Sequence, residues 1–247
     1  MGTTKIDRAR VATTALRLLN EVGLDGLTLR AIAKELDVKA PALYWHFKDK
    51  QALLDEMATV MYRQMLAEDR PRVSAPEREG AERGGPERED RERDRPEAPG
   101  DWQQGILAYN RALRAMLLRH RDGARVYSGT RLTGIDHADS LEEHLRMMVG
   151  CGFELAQAVR ATTTAYAFTL GFVTEEQGVQ PMPDERRAGY DVEERARRLA
   201  DYPLAAAAGR EMFTDFDRRF EEGLRLVVAG IEAVYRPRGV SGATPER

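Results

Sequence analysis

A single cysteine, Cys151, stands among the 247 residues, so no disulfide can form within the chain, and packing alone must hold the core in a reducing setting. Cys151 itself is read as a small buried hydrophobe rather than a reactive thiol. No apolar run approaches the roughly 20 residues that span a bilayer, and the polar stretch from Thr3 to Arg10 is unlike a signal peptide. The expectation is a soluble, cytoplasmic protein with no membrane partner. Histidine is scarce, and His46, His120, His137 and His144 are scattered. There is no H-E-x-x-H pair, no glycine-rich phosphate loop and no nucleophile elbow. An enzyme built on His144, Glu175 and Arg131 in a helical pocket lacks every supporting motif, so the chain is read as a non-enzyme with no cofactor.

Sustained alternation of apolar and polar residues is also missing, which leaves helices as the main material. A first helix is expected over about 5–22, with Val11, Ala12, Ala15, Leu16, Leu18 and Leu19 on one face, ending at Gly23. Thr28 caps a second, carrying Ile32, Ala33 and Leu36. After a turn at 37–39, a third runs from about Ala40 to Phe47, with Pro41 in its first turn, where a missing N–H costs little. Asp49 caps a fourth through Leu53, Met57, Met61 and Met65. Further helices are expected near 102–120, 122–128, 137–150, 154–177, 191–201 and 210–235, with 179–190 as a loop and the last residues as a frayed tail. Small residues in 154–177 allow close helix approach.

Residues 71–100 hold seven arginines, nine acids, five prolines and four glycines, with almost nothing apolar. Such a stretch cannot offset its ordering entropy by burial and is read as a disordered insertion. Its excess of acids argues against a DNA-gripping arm.

The net charge is −3, yet residues 1–50 carry nine Lys/Arg against six acids. A locally basic head on an acidic chain suits a partner that offers phosphates. Two short helices joined by a tight turn place the second in the major groove of DNA. Ile32, Ala33, Leu36, Val38 and Leu43 can bury between them. Tyr44, His46, Lys48 and Lys50 are left to face phosphates, and Arg30 can reach guanine, the commonest specific base contact. An ordinary helical hairpin with surface aromatics is the competing interpretation.

The stretches Leu18-Leu19-Asn20-Glu21-Val22-Gly23 and Leu43-Tyr44-Trp45-His46-Phe47-Lys48-Asp49-Lys50-Gln51-Ala52-Leu53-Leu54-Asp55 closely resemble the DNA-binding domain of tetracycline repressors. The resemblance implies that Arg30 reads a base and that Pro41 and Tyr44 contact the operator. Trp45 would largely pack while touching the backbone, and His46 and Lys50 would bind phosphate. Thr28, Lys39, Ala40, Ala42 and Lys48 complete the candidate DNA-binding set. Ala40 stands where these repressors carry a base-reading glutamine, so the operator should differ at that position.

The same resemblance continues through residues 117–131 and 168–177 and so covers most of the chain. It implies an all-α homodimer. A helix-turn-helix domain over 1–50 is followed by a connecting helix at 51–68 and the insertion at 69–100. A ligand-binding and dimerisation domain at 101–236, with a flexible tail at 237–247, completes the chain. Helices 154–177 and 210–235 would form an intersubunit four-helix bundle, and the two-fold axis would match a palindromic operator on double-stranded DNA.

In the family, a histidine in the ligand segment holds the Mg²⁺ chelated by the drug. Tyr127 stands there in this chain, which disfavours Mg²⁺, and no metal site is assigned. Leu66 and Tyr109 replace a histidine and an asparagine that hold the drug, whereas Thr130, Arg131, His144 and Glu175 match polar pocket positions. With Leu113, Leu141, Thr162 and Tyr166 they make a pocket for a small multi-ring inducer such as an aromatic polyketide. Arg131 and Glu175 could equally form a structural ion pair. The function implied is a ligand-released repressor of an efflux or biosynthetic gene, and the alternative is an activator or a repressor controlled by a protein partner.

Overall fold

The computed structural model describes residues 7–69, 101–182, 185 and 188–235. The tail expected at 237–247 lies outside them. So does the insertion expected at 69–100, apart from Asp69, the last residue of a helix. All regular secondary structure among the described residues is helical, with no strand among them.

Helix α1 (Arg8–Gly26) is capped by Asp7, whose Oδ1 accepts from Arg10 N at 2.8 Å. Its stripe of Val11, Ala12, Ala15, Leu16 and Leu19 is buried, as the 3.6-residue period requires. At Gly23 the backbone turns left-handed with φ 70°, and a last turn follows the kink. A side chain there would be strained, and the Arg121 guanidinium lies 3.0 Å from where its Cβ would be. Thr28 caps α2 (Leu29–Glu35) by accepting from Ala31 N. Asp37, at φ 52°, makes the turn into α3 (Ala40–Tyr44), which carries Pro41 in its first turn and is shorter than expected. Asp49 accepts from Ala52 N at 2.7 Å and opens α4 (Lys50–Asp69).

The body follows with α5 (Trp102–Leu118), α6 (Gly123–Tyr127), α7 (Asp136–Gly150) and α8 (Leu155–Val179), the last reaching the first residue of the loop expected at 179–190. Next come α9 (Val192–Arg198), α10 (Pro203–Phe213) and α11 (Phe216–Tyr235). The single helix expected over 210–235 is therefore two. The chain leaves the helix at Thr214 and Asp215 takes φ 51°, while Asp215 Oδ2 accepts from Arg218 Nε at 2.6 Å inside the new helix.

One core joins α1 to α4 and continues through Leu113, Met116 and Leu117 of α5 to Val126 and Tyr127 of α6 and Val173 of α8. A second core packs Trp102 and Ile106 of α5 against α8 and against Phe220, Leu224 and Val228 of α11. Ala158, Ala161 and Ala165 let α8 approach closely, as its small residues imply. Cys151 is only partly buried, against this second core.

Candidate functional site

Leu43 and Phe47 are both fully buried, which fixes the rotation of α3 and turns its other face outward. Tyr44 is 57% exposed and Trp45 91% exposed. Trp45 therefore does not pack as the family resemblance implied; all of its ring faces away from the core. Lys39, Pro41 and Lys48 share this exposure, while Ala40 and Ala42 are half-buried against α2 and the core beneath. On α2, Arg30 is exposed with no ion-pair partner among the described residues. Arg17, by contrast, is tied up by Glu21 and Glu35. Thr28 uses an oxygen lone pair on its cap, which leaves its hydroxyl proton for an outside acceptor. Lys50 has a structural task as well, donating from Nζ to the Leu24 carbonyl at 2.9 Å. His46 is half-buried, and its carbonyl accepts from Arg8. The arrangement leaves Lys39 and Lys48, the Arg30 guanidinium of α2 and the rings of Tyr44 and Trp45 exposed within one helix-turn-helix, which are the group types that groove and phosphate contacts use.

In the body, a cavity of about 210 Å³ is lined by Tyr62, Tyr109, Tyr127, Leu132, His137, Ser140, Leu141, His144 and Thr162. An adjoining hollow of about 310 Å³ shares Tyr109, Ser140 and His144 with it and adds Met65, Leu66, Glu143 and Met147. Of the residues singled out in the sequence, Tyr109, Tyr127, Leu141, His144 and Thr162 line the first and Leu66 the second. Tyr166 lies behind them within the core, close enough to influence Tyr109 and Tyr127. Leu113 is fully buried in the core and lines neither. Thr130 faces inward, donating its hydroxyl to the Tyr127 carbonyl at 2.7 Å. Arg131 is exposed and is held by its backbone N–H on Asp55 Oδ1 at 3.0 Å. Glu175 belongs to a separate hollow with Phe168, Phe172, Phe213, Phe216 and Arg219. Arg131 and Glu175 make no ion pair with each other, so that alternative is set aside.

Sequence reasoning missed Tyr62, Leu132, His137 and Ser140. Tyr62 sits one helical turn before Leu66 on α4, and His137 and Ser140 precede Leu141 and His144 at spacings of four on α7, so helical periodicity carried a signal for these three, while Leu132 lies in the connection between α6 and α7 and had none.

No charged side chain lines the first cavity. Burial raises the phenols of Tyr109 and Tyr127 well above the usual tyrosine value, and the neighbouring tyrosines add to it. Both stay protonated as hydrogen-bond donors. Thr162 donates to the Ala158 carbonyl at 2.9 Å, so its oxygen accepts from His144 Nε2 at 3.1 Å, leaving His144 Nδ1 an acceptor. Burial lowers the His144 pKa and keeps the ring neutral. His120, buried and beside Arg119, is lowered too. The unfolded chain thus takes up protons before the folded one does. Stability is full above about pH 6.5, the ordinary histidine value, and falls as pH drops from there through the lowered folded values. Denaturation between pH 8 and 5 checks this, and His144→Gln should flatten part of the fall.

A Mg²⁺-chelated drug would need an anionic or imidazole ligand where Tyr127 stands. A buried, protonated phenol is a weak partner for that hard cation. At this position the chain does not fit the metal.

Buried polar contacts hold the cavity's frame. Thr169 donates to Asn110 Oδ1 at 2.8 Å, pinning α8 to α5. Arg114 grips Glu176 through two bonds of 2.9 and 2.5 Å beneath the Phe220 ring. Gln177 donates to the His120 carbonyl at 2.8 Å and accepts from Ala124 N at 3.1 Å, fixing the start of α6.

Comparison with known proteins adds the following. Residues 12–57 match the family model "Bacterial regulatory proteins, tetR family", and residues 95–235 match "Tetracyclin repressor-like, C-terminal domain". The chain is 35% identical over 232 residues to the tetracycline repressor protein class A from transposon 1721 of Escherichia coli, covering 92% of this chain and 91% of that protein. It is similar in fold to a possible TetR family transcriptional regulator from Streptomyces coelicolor A3(2), with TM-score 0.70 and 35% identity over 92% of this chain and 100% of that one. A variant of TetR from Acinetobacter baumannii AYE, solved in complex with minocycline, superposes with TM-score 0.61 and 31% identity over 94% of this chain and 99% of that one.

Proposed function

The chain belongs to the tetracycline-repressor family of bacterial regulatory proteins, and we propose that it is a cytoplasmic repressor that binds a palindromic operator as a homodimer and is released by an uncharged multi-ring molecule. The observation that carries the DNA-binding half is the rotation of α3. Burial of Leu43 and Phe47 leaves Tyr44, Trp45, Lys39 and Lys48 turned to solvent, a costly display of aromatic surface unless a partner covers it. In this reading residues 1–50 are the DNA-binding head and 101–236 the ligand-binding and dimerisation body, with α4 between them. No described helix is long and apolar enough to cross a membrane.

The dimer is supported by α8 and α11. Gly171, Gly178 and Gly230 open onto empty space, and Leu226 and Val234 are more than 70% exposed. A second copy of the same pair of helices would bury them in a four-helix bundle.

The cavity supports the ligand class. Its wall of phenols, imidazoles, hydroxyls and leucines offers donors and acceptors without net charge, and its ring-rich surface suits stacked aromatic ligands such as polyketides. Thr130, Arg131 and Glu175 lie outside this wall, so they serve the ligand at most through the loop or through the partner subunit. Ligand binding acts on DNA affinity only through the difference in its affinity for the two forms of the dimer.

Arg30→Ala should cost about 1–3 kcal/mol of operator binding and relax the preference at one base pair. Footprinting and competition with single-base operator variants check this, and an unchanged footprint would remove Arg30 from the base-reading set.

A further inference from the structure

A line of hydrogen bonds runs from the cavity wall to the back of α3. Thr133 follows Leu132, a lining residue of the cavity, in the connection between α6 and α7. Its backbone N–H donates to Thr59 Oγ1 at 2.8 Å. Its hydroxyl donates to Glu56 Oε2 at 3.2 Å. Glu56 is 6% exposed, and the same oxygen accepts from Arg8 Nε at 2.8 Å. Arg8 then reaches the recognition segment twice: Nη1 donates to the His46 carbonyl, and the guanidinium lies 4.5 Å from the centroid of the Phe47 ring. His46 and Phe47 lie just past α3, after Trp45, and both of their amides bond to the Leu43 carbonyl at 2.9 Å.

A buried carboxylate must have its lone pairs satisfied, and removing one partner leaves a penalty that the others have to absorb. Thr133 and Arg8 share a single Glu56 oxygen. A shift of the α6–α7 connection that withdraws the Thr133 hydroxyl therefore changes the hold of Glu56 on Arg8. Of the three, Arg8 carries the hydrogen bond and the ring contact to the His46–Phe47 segment. By contrast, Asp55 also ties this connection to α4 by accepting from Arg131 N, whereas the described hydrogen bonds of Arg8 run to Glu56 and His46.

We propose that Arg8 and Glu56 are positioning residues for DNA recognition, passing displacement of the cavity wall through Thr133 to the C-terminal end of α3. The proposal rests on the ligand-controlled DNA-binding reading above.

The test uses the unliganded full chain, so no inducer need be known. Hydrogen exchange of the segment 45–49 and affinity for the protein's own upstream DNA are measured for Thr133→Val, Thr133→Ser, Glu56→Gln and the Thr133→Val/Glu56→Gln double variant. Thr133→Val should speed exchange at 45–49 and weaken DNA binding, each by about fivefold, and add nothing in the Glu56→Gln background, as coupled neighbours do. Thr133→Ser, which keeps the hydroxyl, should behave as wild type. Asp55→Asn should loosen residues 130–133 without reaching 45–49. If wild type binds DNA while Thr133→Val leaves 45–49 and affinity unchanged, or acts equally with Glu56 absent, the link is overturned and the DNA-binding reading stands. If wild type shows no specific DNA binding, that reading falls and the proposal falls with it.

Discussion

Glu176→Ala should lower stability by about 3–5 kcal/mol, the loss expected when one partner of a buried ion pair is removed. Side-chain exposure is 5% for Glu176 and 13% for Arg114, and two hydrogen bonds join them. Without the carboxylate, the guanidinium is left between α5, α8 and α11 with Asp217, whose side chain is 90% exposed, as its remaining anionic partner. Asp217→Ala, in contrast, should cost under about 1 kcal/mol, because an exposed acid contributes little to such a pair. Urea denaturation at one fixed protein concentration checks both, since subunit association makes apparent stability concentration-dependent. A Glu176→Ala loss as small as that of Asp217→Ala would show that the pair is not what joins these helices.

Gly123→Ala should also be severe, for a different reason. A Cβ on Gly123 would lie 2.1 Å from the Leu117 carbonyl oxygen, which is backbone at the end of α5 and cannot swing away. Asp122, held at φ 57° with its carboxylate accepting from Leu24 N at 2.8 Å, fixes how the chain enters α6, so the helix itself must move. Overpacking of this kind costs about 3 kcal/mol. The consequence reaches function because α6 carries Tyr127 into the cavity wall four residues later. Molecules that remain folded should bind an inducer roughly tenfold more weakly, which corresponds to about 1.4 kcal/mol. Gly129→Ala supplies the contrast. Its φ is 73° but nothing lies within 4 Å of the added carbon, so backbone strain of about 1–2 kcal/mol is its whole cost. Thermal denaturation of the two variants separates steric displacement from strain, and equal losses would contradict the steric account.

Local chemistry made much of the fold legible. Thr28 and Asp49 cap the helices they were expected to cap, Pro41 sits in a first turn, and the apolar stripe of α1 is buried as its spacing requires. What escaped depended on neighbours far away in sequence. Glu175 was favoured and Glu176 passed over, yet one helical step of about 100° carries Glu176 into the core against Arg114 and leaves Glu175 in an outer hollow. Adjacent identical residues cannot be told apart until the packing face is known. The break at Thr214–Asp215 was masked by helix-favouring residues on both sides, and the Pro203 start of α10 went unused although proline opens helices. Trp45 was assigned to packing by family resemblance, but Leu43 and Phe47 already fill the space beneath α3, which turns the indole outward. In the cavity, Tyr109, Tyr127 and His144 were reached through the resemblance, whereas Tyr62 and His137, one helical turn from Leu66 and Leu141, carried only the periodicity of their helices.

The most direct measurement of the central claim is a mobility shift of the purified protein on DNA from its own upstream region, with and without a panel of uncharged multi-ring compounds, each tested with Mg²⁺ and with a chelator. The account predicts a salt-sensitive, sequence-specific shift that at least one compound abolishes, equally well in both conditions, because a buried, protonated Tyr127 stands where an anionic or imidazole ligand would be needed to hold Mg²⁺. A well-folded dimer that gives no specific shift at modest salt, or a shift released only when Mg²⁺ accompanies the compound, would contradict it.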